Sequence, residues 1–500
     1  MSPSLVPEPP SAPALPAHLG LVAGLSAGAD FLANTTVSVS SAYVRGGVSA
    51  APEDFLWVFT LYAAAGTTAI LFLDRLSRAL RYRTLLMLGL AVFMTGSLLA
   101  AVSESFQMLL VARVIQGLGG GPLMTVARVL VQTAVPARQR PTQLKGFMIG
   151  ILGSTSLAPW LSTHLIQAWD WHAVFVLHLA YACTMLLACW QVLPDEVHQP
   201  RSLGEADWVA AAAFVIGTLS FLHAFEAMHY HWLDLSMAWG LCAGAAALGF
   251  LGWHLHRHPD PWFDLRRISS QRYVMGVAFY GLYYLISGAL NYFTPLYLES
   301  GEGYNVETAG NIMTAASLTA TLLLPVYFRA APFLTSRRHV IATGFAVMGV
   351  TLYWLSAHVT GGTPMGTLLP AFALKGVFPV LVAVQVAGLT FKEFQHLDFA
   401  HAYALKNVLR QLALAVGAGV GNLYWLKVSA TARTDLVGQI GGLSGEAPEP
   451  AWTQSTAALS TLSRLLDQQA ALISAQQCFL VLAVACAIGC VLILCQKALQ

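Results

Sequence analysis

"LLVARVIQGLGGGPLMTVARVLVQTAVPARQR", Leu109–Arg140, decides how this chain must be read. Up to Ala134 the stretch is apolar enough, and long enough, to cross about 30 Å of hydrocarbon as an α-helix. Yet it holds Arg113, Gln116, Arg128, Pro122 and a run of glycines, and it stops at Pro136 before the basic pair Arg138 and Arg140. A charged side chain at the centre of a membrane helix costs about 2.5–3.5 kcal/mol on insertion scales, so Arg113 needs a reason to be there. Small residues supply another hint, because in lipid they let neighbouring helices approach closely.

The rest of the chain is written in the same alphabet. Of 500 residues 56% are hydrophobic and 10% charged, with a mean hydropathy of +0.63; soluble domains carry about 25% charged residues. This composition defines an integral membrane protein. The apolar runs lack the strict alternation of a barrel strand, which selects helices. Runs between charged or Pro/Gly punctuation fall near 19–44, 54–73, 84–103, 107–135, 142–168 and 171–193, then 206–227 and 235–256, then 273–298, 305–329, 339–357, 365–390, 399–427 and 476–496. Fourteen transmembrane helices are therefore expected.

That spacing divides the chain into a disordered, proline-rich tail over 1–18, a six-helix bundle over 19–194, two extra helices over 195–256, an amphipathic link over 257–272 and a second six-helix bundle over 273–500. The connection 428–475 reads as a surface loop with one short helix. Arg75, Arg78, Arg81 and Arg83, then Arg138, Arg140 and Lys145, then Arg257, Arg266, Arg267 and Arg272, and finally Arg337, Arg338 and Lys392 concentrate in alternate loops. The positive-inside rule then puts both termini in the cytoplasm and loop 428–475 outside the cell.

Several functions are excluded at this level. A net charge of +2 without a continuous basic face argues against a nucleic-acid partner. The seven cysteines lie scattered in apolar segments, so neither disulfides nor structural zinc are expected. No G-x-x-x-x-G-K-[ST] phosphate loop and no G-x-S-x-G elbow occurs, so the chain is not read as an enzyme and no ATP hydrolysis is expected. "HAFEAMHYH", with His223, Glu226, His229 and His231, and "HLHRH", with His254, His256 and His258, lie at span ends without H-E-x-x-H order. They are read as interfacial, and no metal and no cofactor is assigned.

What remains is a set of ionisable and polar residues inside the spans. Asp30 sits one helical turn before Asn34, Lys375 lies mid-span, and Lys406 and Arg410 share a helix face. A carboxylate in a membrane cavity can carry a proton, because desolvation favours its neutral form and a nearby cation its charged form. Arg113 is a permanently charged donor that can hold a substrate oxygen, pair with Asp30 or satisfy backbone carbonyls; the sequence leaves these three open. Tyr280, Tyr283, Tyr284, Asn291, Tyr292 and Phe293 recur at helical spacing and suit either a cavity wall or ordinary packing. "ARVIQGLGGGPL" and "FALKGVFPVLV" form a weak internal echo that pairs Gln116-Gly117 with Lys375-Gly376, as the repeats of secondary transporters do.

On these residues the chain resembles the major facilitator superfamily, specifically its fourteen-helix drug:proton antiporter branch, over about 20–496. "LLVARVIQGLGGGPLMTVARVLVQTAVPARQR" is similar to that family's fourth-helix motif, with Arg113, Gln116 and Gly117 in place, and "NVLRQLALAVG" places Arg410 and Gly417 similarly. Where the family's first helix carries an aspartate, "ANTTVSV" has Asn34, and Asp30 stands a turn earlier. "LDRLSRALRYR" keeps Asp74, Arg75, Arg78 and Arg81 of the cytoplasmic gating loop but has no glycine. The antiporter motif of helix five aligns with "APWLST": Pro159 is kept, while Ala158, Ser162 and Thr163 replace the glycines. The hydroxyls before it are expected to satisfy carbonyls that the proline frees.

The resemblance implies a secondary active transporter that exports a small organic compound by alternating access and is driven by the proton gradient. It implies residence in the bacterial inner membrane, and as partners a periplasmic adaptor and an outer-membrane channel. Asp30 and Asn34 would couple protons, and Arg113, Gln116, Lys375, Arg410, Asn291 and Tyr284 would serve substrate or coupling. Cationic Lys375 and Arg113 would tolerate an anionic or polyhydroxylated substrate better than a lipophilic cation. An uptake permease on the same fold, or a transport-inactive sensor, are the competing readings.

Overall fold

A computed structural model of the protein describes residues 16, 18–51, 54–195, 207–227, 235–259, 261–263, 265–334, 336–394, 396–443 and 455–497. The expected tail over 1–18, the Glu226 side chain, His229 and His231 fall wholly or largely outside that set. The described chain is helical: α1 (Leu19–Val39), α2 (Ser41–Gly47), α3 (Trp57–Ala79), α4 (Tyr82–Ala101), α5 (Phe106–Ala134), α6 (Arg140–Ser156), α7 (Ala158–Ala168), α8 (His172–Val192), α9 (Trp208–Ala227) and α10 (Leu235–Arg257) come first. After the short α11 (Leu265–Ile268) follow α12 (Gln271–Leu296), α13 (Val306–Ala330), α14 (Arg337–Ala357), α15 (Met365–Lys375), α16 (Val384–Thr390), α17 (His396–Leu443) and α18 (Thr456–Cys495).

Among the described residues, eleven helices are long and apolar enough to cross a membrane. The other expected spans correspond to α1, which is less apolar, to the α6–α7 pair, which is broken at Leu157, and to α9, which is helical over Trp208–Ala227. Helices α1 and α3–α8 pack chiefly on one another, as do α12–α18, and α9 packs against α10.

Glycines set the closeness of the first group. A Cβ on Gly117 would lie 2.4 Å from the Tyr62 carbonyl oxygen, and one on Gly121 only 2.3 Å from the Gly66 Cα, so this face of α5 sits directly on the α3 backbone. Gly119 turns the opposite way, where a Cβ would meet Phe93 N of α4 at 2.3 Å. In α1, Gly20, Gly24 and Gly28 repeat every four residues and press on Gln143, Phe147 and Ser154 of α6.

Three elements differ from expectation. The span 142–168 is two helices broken at Leu157, because Pro159 cannot continue the hydrogen-bond ladder. Ser154, Thr155 and Ser156 each donate to the carbonyl three residues back, at 2.7, 3.0 and 2.8 Å, whereas the Thr155 carbonyl, four residues before Pro159, accepts from Leu157 N. Second, α3 runs on through Ala79, so Asp74, Arg75 and Arg78 are helical rather than in a loop. The segment has no glycine to break it, and the Arg78–Asp74 pair at 2.8 Å spans one turn. Third, most of 428–475 is not loop: α17 reaches Leu443 and α18 starts at Thr456. Arg433 joins the two extensions, reaching Asp467 at 2.7 Å and Ser463 at 3.2 Å.

Candidate transport site

Asp30 is fully buried in α1, and each oxygen of its carboxylate is held. Arg410 of α17 donates through Nη2 to Oδ2 at 2.6 Å. Tyr62 of α3 donates its hydroxyl to Oδ1 at 2.8 Å, and Asn34 donates to Oδ1 at 3.1 Å and to the Asp30 carbonyl at 2.9 Å. The ion pair therefore bridges the first helix group to the last, while the hydrogen bonds stay within the first. The Arg410 guanidinium also lies over the Phe31 ring at 4.6 Å and within 5.8 Å of the Tyr284 ring centre. Asp30 and Asn34, one turn apart in α1, thus form one cluster with Arg410 and Tyr284, which lie in helices distant in sequence.

Arg113 belongs elsewhere. It does not touch Asp30: its Nε donates to the Val58 carbonyl at 3.1 Å, Nη1 donates to Gln116 Oε1, and the guanidinium stacks 4.1 Å over the Tyr62 ring. Gln116 Nε2 then donates to Ser97 at 2.8 Å and lies 3.2 Å from His178 Nδ1, while His178 Nε2 lies 2.6 Å from Thr36 Oγ1. Since Gln116 donates here, Nδ1 accepts and Nε2 carries the proton, a neutral imidazole assigned from the network. Of the three roles left open for Arg113, the geometry selects carbonyl satisfaction plus a link through Tyr62 to Asp30. The sequence reading missed Tyr62, Thr36 and His178; a lone tyrosine, threonine or histidine in an apolar helix carries no signal by spacing.

A cavity of about 470 Å³ lies beside the ion pair. Phe31 and Tyr284 form part of its wall, with Lys375, Arg128, Asn291 and Pro159 among the other lining residues, and exposed Lys392 at the end of the basic loops. On the other side of the pair, Asn34, Tyr62, Asn291 and Gln411 line a second space of about 40 Å³. Lys375 ends α15, where the helix is interrupted before a π-turn at Pro379–Ala383. It donates to Thr294 at 3.2 Å and lies 4.5 Å from the Phe372 ring centre. Arg113 and Gln116 do not line either space, which corrects the expectation that Arg113 and Lys375 would together face a substrate. Arg128 does line the larger one.

In the motif helix α7 only Pro159 reaches the cavity. Ser162 donates to the Thr36 carbonyl at 3.1 Å, Ala158 is buried, and Thr163 packs against α13, where a Cβ on Gly310 would lie 2.1 Å from the Thr163 hydroxyl. The small residue needed for close approach stands on the partner helix instead.

At the basic end, Asp74 accepts from Arg78 and, across the groups, from His401 Nε2 of α17 at 3.1 Å. Arg81 and Arg83 instead reach Asp195 beyond α8, at 3.3 and 2.7 Å, and Arg75 is buried. Asp74 thus links α3 to α17. Asp74→Asn is expected to lower transport about tenfold, and adding His401→Ala to lower it no further, since both remove one contact. Initial rates of the two single variants and the double variant check this.

Asp207, His254 and His258 bring ligand atoms within 4.8 Å of one another. One Asp207 oxygen caps α9 by accepting from Ala210 N at 2.9 Å, and the other accepts from His254 at 2.8 Å. Both oxygens thus have protein partners.

With this geometry in view, comparison with known proteins is direct. The profile of the Major Facilitator Superfamily matches residues 20–418, and the chain belongs to that family of carriers. It is thus a multi-pass membrane transporter of small molecules and not an enzyme. It is 22% identical to the multidrug export protein EmrB of Haemophilus influenzae, over 84% of this chain and 83% of that one. Likewise it is 22% identical to the fatty acid resistance protein FarB of Neisseria gonorrhoeae, over 94% of each. A solved structure of a proton-dependent oligopeptide transporter superposes with a TM-score of 0.62 at 13% identity, covering 95% and 97% of the two chains, a likeness of fold.

Proposed function

We propose that this protein is an exporter that moves a small organic compound out of the cell by alternating access, in exchange for protons carried by Asp30. The observation that carries the reading is the buried ion pair of Asp30 with Arg410, which ties α1 to α17 beside a ligand-sized cavity. A proton arriving on Asp30 removes the charge that holds Arg410, so the tie between the helix groups weakens and the groups can rearrange. Loss of the proton on the other side restores it. Tyr62 and Asn34 keep the carboxylate on its own helix group throughout, and Tyr62 passes the state of Asp30 to the Arg113–Gln116–His178 network. The export direction is supported by relatives named for drug export and fatty acid resistance.

By the positive-inside rule both termini lie in the cytoplasm, and the bacterial origin of the export and resistance relatives supports the inner membrane as its place. The α17–α18 hairpin then projects outward: α17 alone has 48 residues, roughly 72 Å of helix at 1.5 Å per residue, against about 30 Å of hydrocarbon. Such a projection suits contact with a periplasmic adaptor leading to an outer-membrane channel. The test is reconstitution into vesicles with an imposed proton gradient. Substrate movement against its own gradient, coupled to proton flow the other way, supports the reading; movement with the proton, or equilibration unaffected by the gradient, overturns it.

A further inference from the structure

The charges around the large cavity do not balance. Arg128 and Lys375 line it, and Lys406 stands behind its Tyr280 and Tyr403 walls, 1% exposed and 4.0 Å from the Tyr403 ring centre. The hydrogen bonds of these cations go to neutral oxygens: Gln132 Oε1 for Arg128, Thr294 for Lys375 and the Tyr280 hydroxyl for Lys406, at 3.1, 3.2 and 3.2 Å. Among the described residues none of the three has a carboxylate within 4 Å, and Asp30, the acid beside this space, is already committed to Arg410. Membrane proteins pair buried charges with one another because an unpaired one is expensive in low dielectric. A ligand can supply the missing partner.

From this imbalance we infer that the transported compound is a hydrophobic organic acid, its carboxylate held by Lys375 and Arg128 and its apolar body lying against aromatic and methionine side chains. Arg128 offers a planar fork and Lys375 a mobile point charge, a pair suited to a carboxylate arriving in more than one pose. Tyr283, Tyr284, Phe372 and Phe378 provide rigid apolar walls, and Met124, Met148, Met313 and Met348 line the same space with side chains that adapt to shape. A volume near 470 Å³ fits a molecule of drug size. Lys392, exposed at the basic end, lies on the path by which an anion enters. A lipophilic cation would add to charge that is already unbalanced.

The inference rests on the exporter reading for its site, but binding tests it separately. Purified full-length protein is titrated with laurate, 1-naphthoate, dodecanol and tetraphenylphosphonium, and again as Lys375→Gln and Lys375→Arg, with thermal melts to establish that each variant is folded. The acids are expected to bind at least about tenfold tighter than the alcohol or the cation. Lys375→Gln should weaken the acids about tenfold and leave dodecanol unchanged, while Lys375→Arg recovers most of the loss. Tighter binding of the cation, acid affinity indifferent to Lys375→Gln, or folded wild-type protein that binds neither acid overturns the substrate class. Acid binding as expected, with vesicles that show no proton exchange, would instead overturn the exporter reading alone.

Discussion

Asp30→Asn is expected to cut proton-driven transport by about a hundredfold, equivalent to about 2.7 kcal/mol in the barrier. The amide keeps the shape and can still accept from Tyr62, but it holds no proton to deliver and no charge for Arg410. Stability should suffer as well, since removing one partner of a buried ion pair costs about 3–5 kcal/mol by leaving the other charge uncompensated. Arg410→Gln should be destabilised to a similar degree for the mirror reason. The double variant removes both charges, so it should melt well above either single variant while remaining inactive with protons. That pattern separates a coupling residue from a merely structural one: stability returns in the double variant and coupling does not.

Gly121→Val is expected to be the most damaging change outside the charged cluster. Its Cβ would enter the space of the Gly66 backbone, at 2.3 Å from Cα and 2.6 Å from the carbonyl oxygen, where no side chain can swing aside. Overpacking of a core costs about 1–3 kcal/mol, occasionally more. Here α5 must withdraw from α3, which also carries Tyr62 to its contact with Asp30. Loss of most monodisperse protein, and a lowered melting temperature in what survives, is the expected result. Gly153 and Gly281 meet nothing within 4 Å of the added carbon, so alanine there should leave folding and transport unchanged. A Gly121→Val variant as stable as Gly153→Ala would contradict the packing described.

Much of this architecture is legible in the chain itself because membrane helices announce themselves by length and apolarity. The glycines of Leu109–Arg140 can be read as close-packing residues, and so can Gly20, Gly24 and Gly28 of α1, spaced every four residues. Hydropathy does not, however, distinguish a polar extension that stays helical from a loop. Residues 456–475 are rich in Ala, Leu and Gln, but 428–443 hold three glycines, and the α17–α18 hairpin is fixed by Arg433 and Asp467, which are distant in sequence. The sequence names candidate residues but does not sort them into clusters. Asp30 and Arg410 are 380 positions apart, and only the tertiary structure shows that Arg410, rather than Arg113, is the partner of the carboxylate. Arg128 illustrates the same limit: an arginine near a helix end looks interfacial until the helices around it are seen to enclose a cavity.

The central claim is that Asp30 gains and loses a proton within the membrane. Infrared difference spectroscopy on the reconstituted protein, comparing acidic with alkaline buffer, tests it most directly. A protonated buried carboxyl gives a C=O band distinct from carboxylates in water; that band should rise on acidification in the wild type and be missing in Asp30→Asn. The same band at full strength in Asp30→Asn, or its absence from a wild-type protein that exchanges protons, would contradict the account.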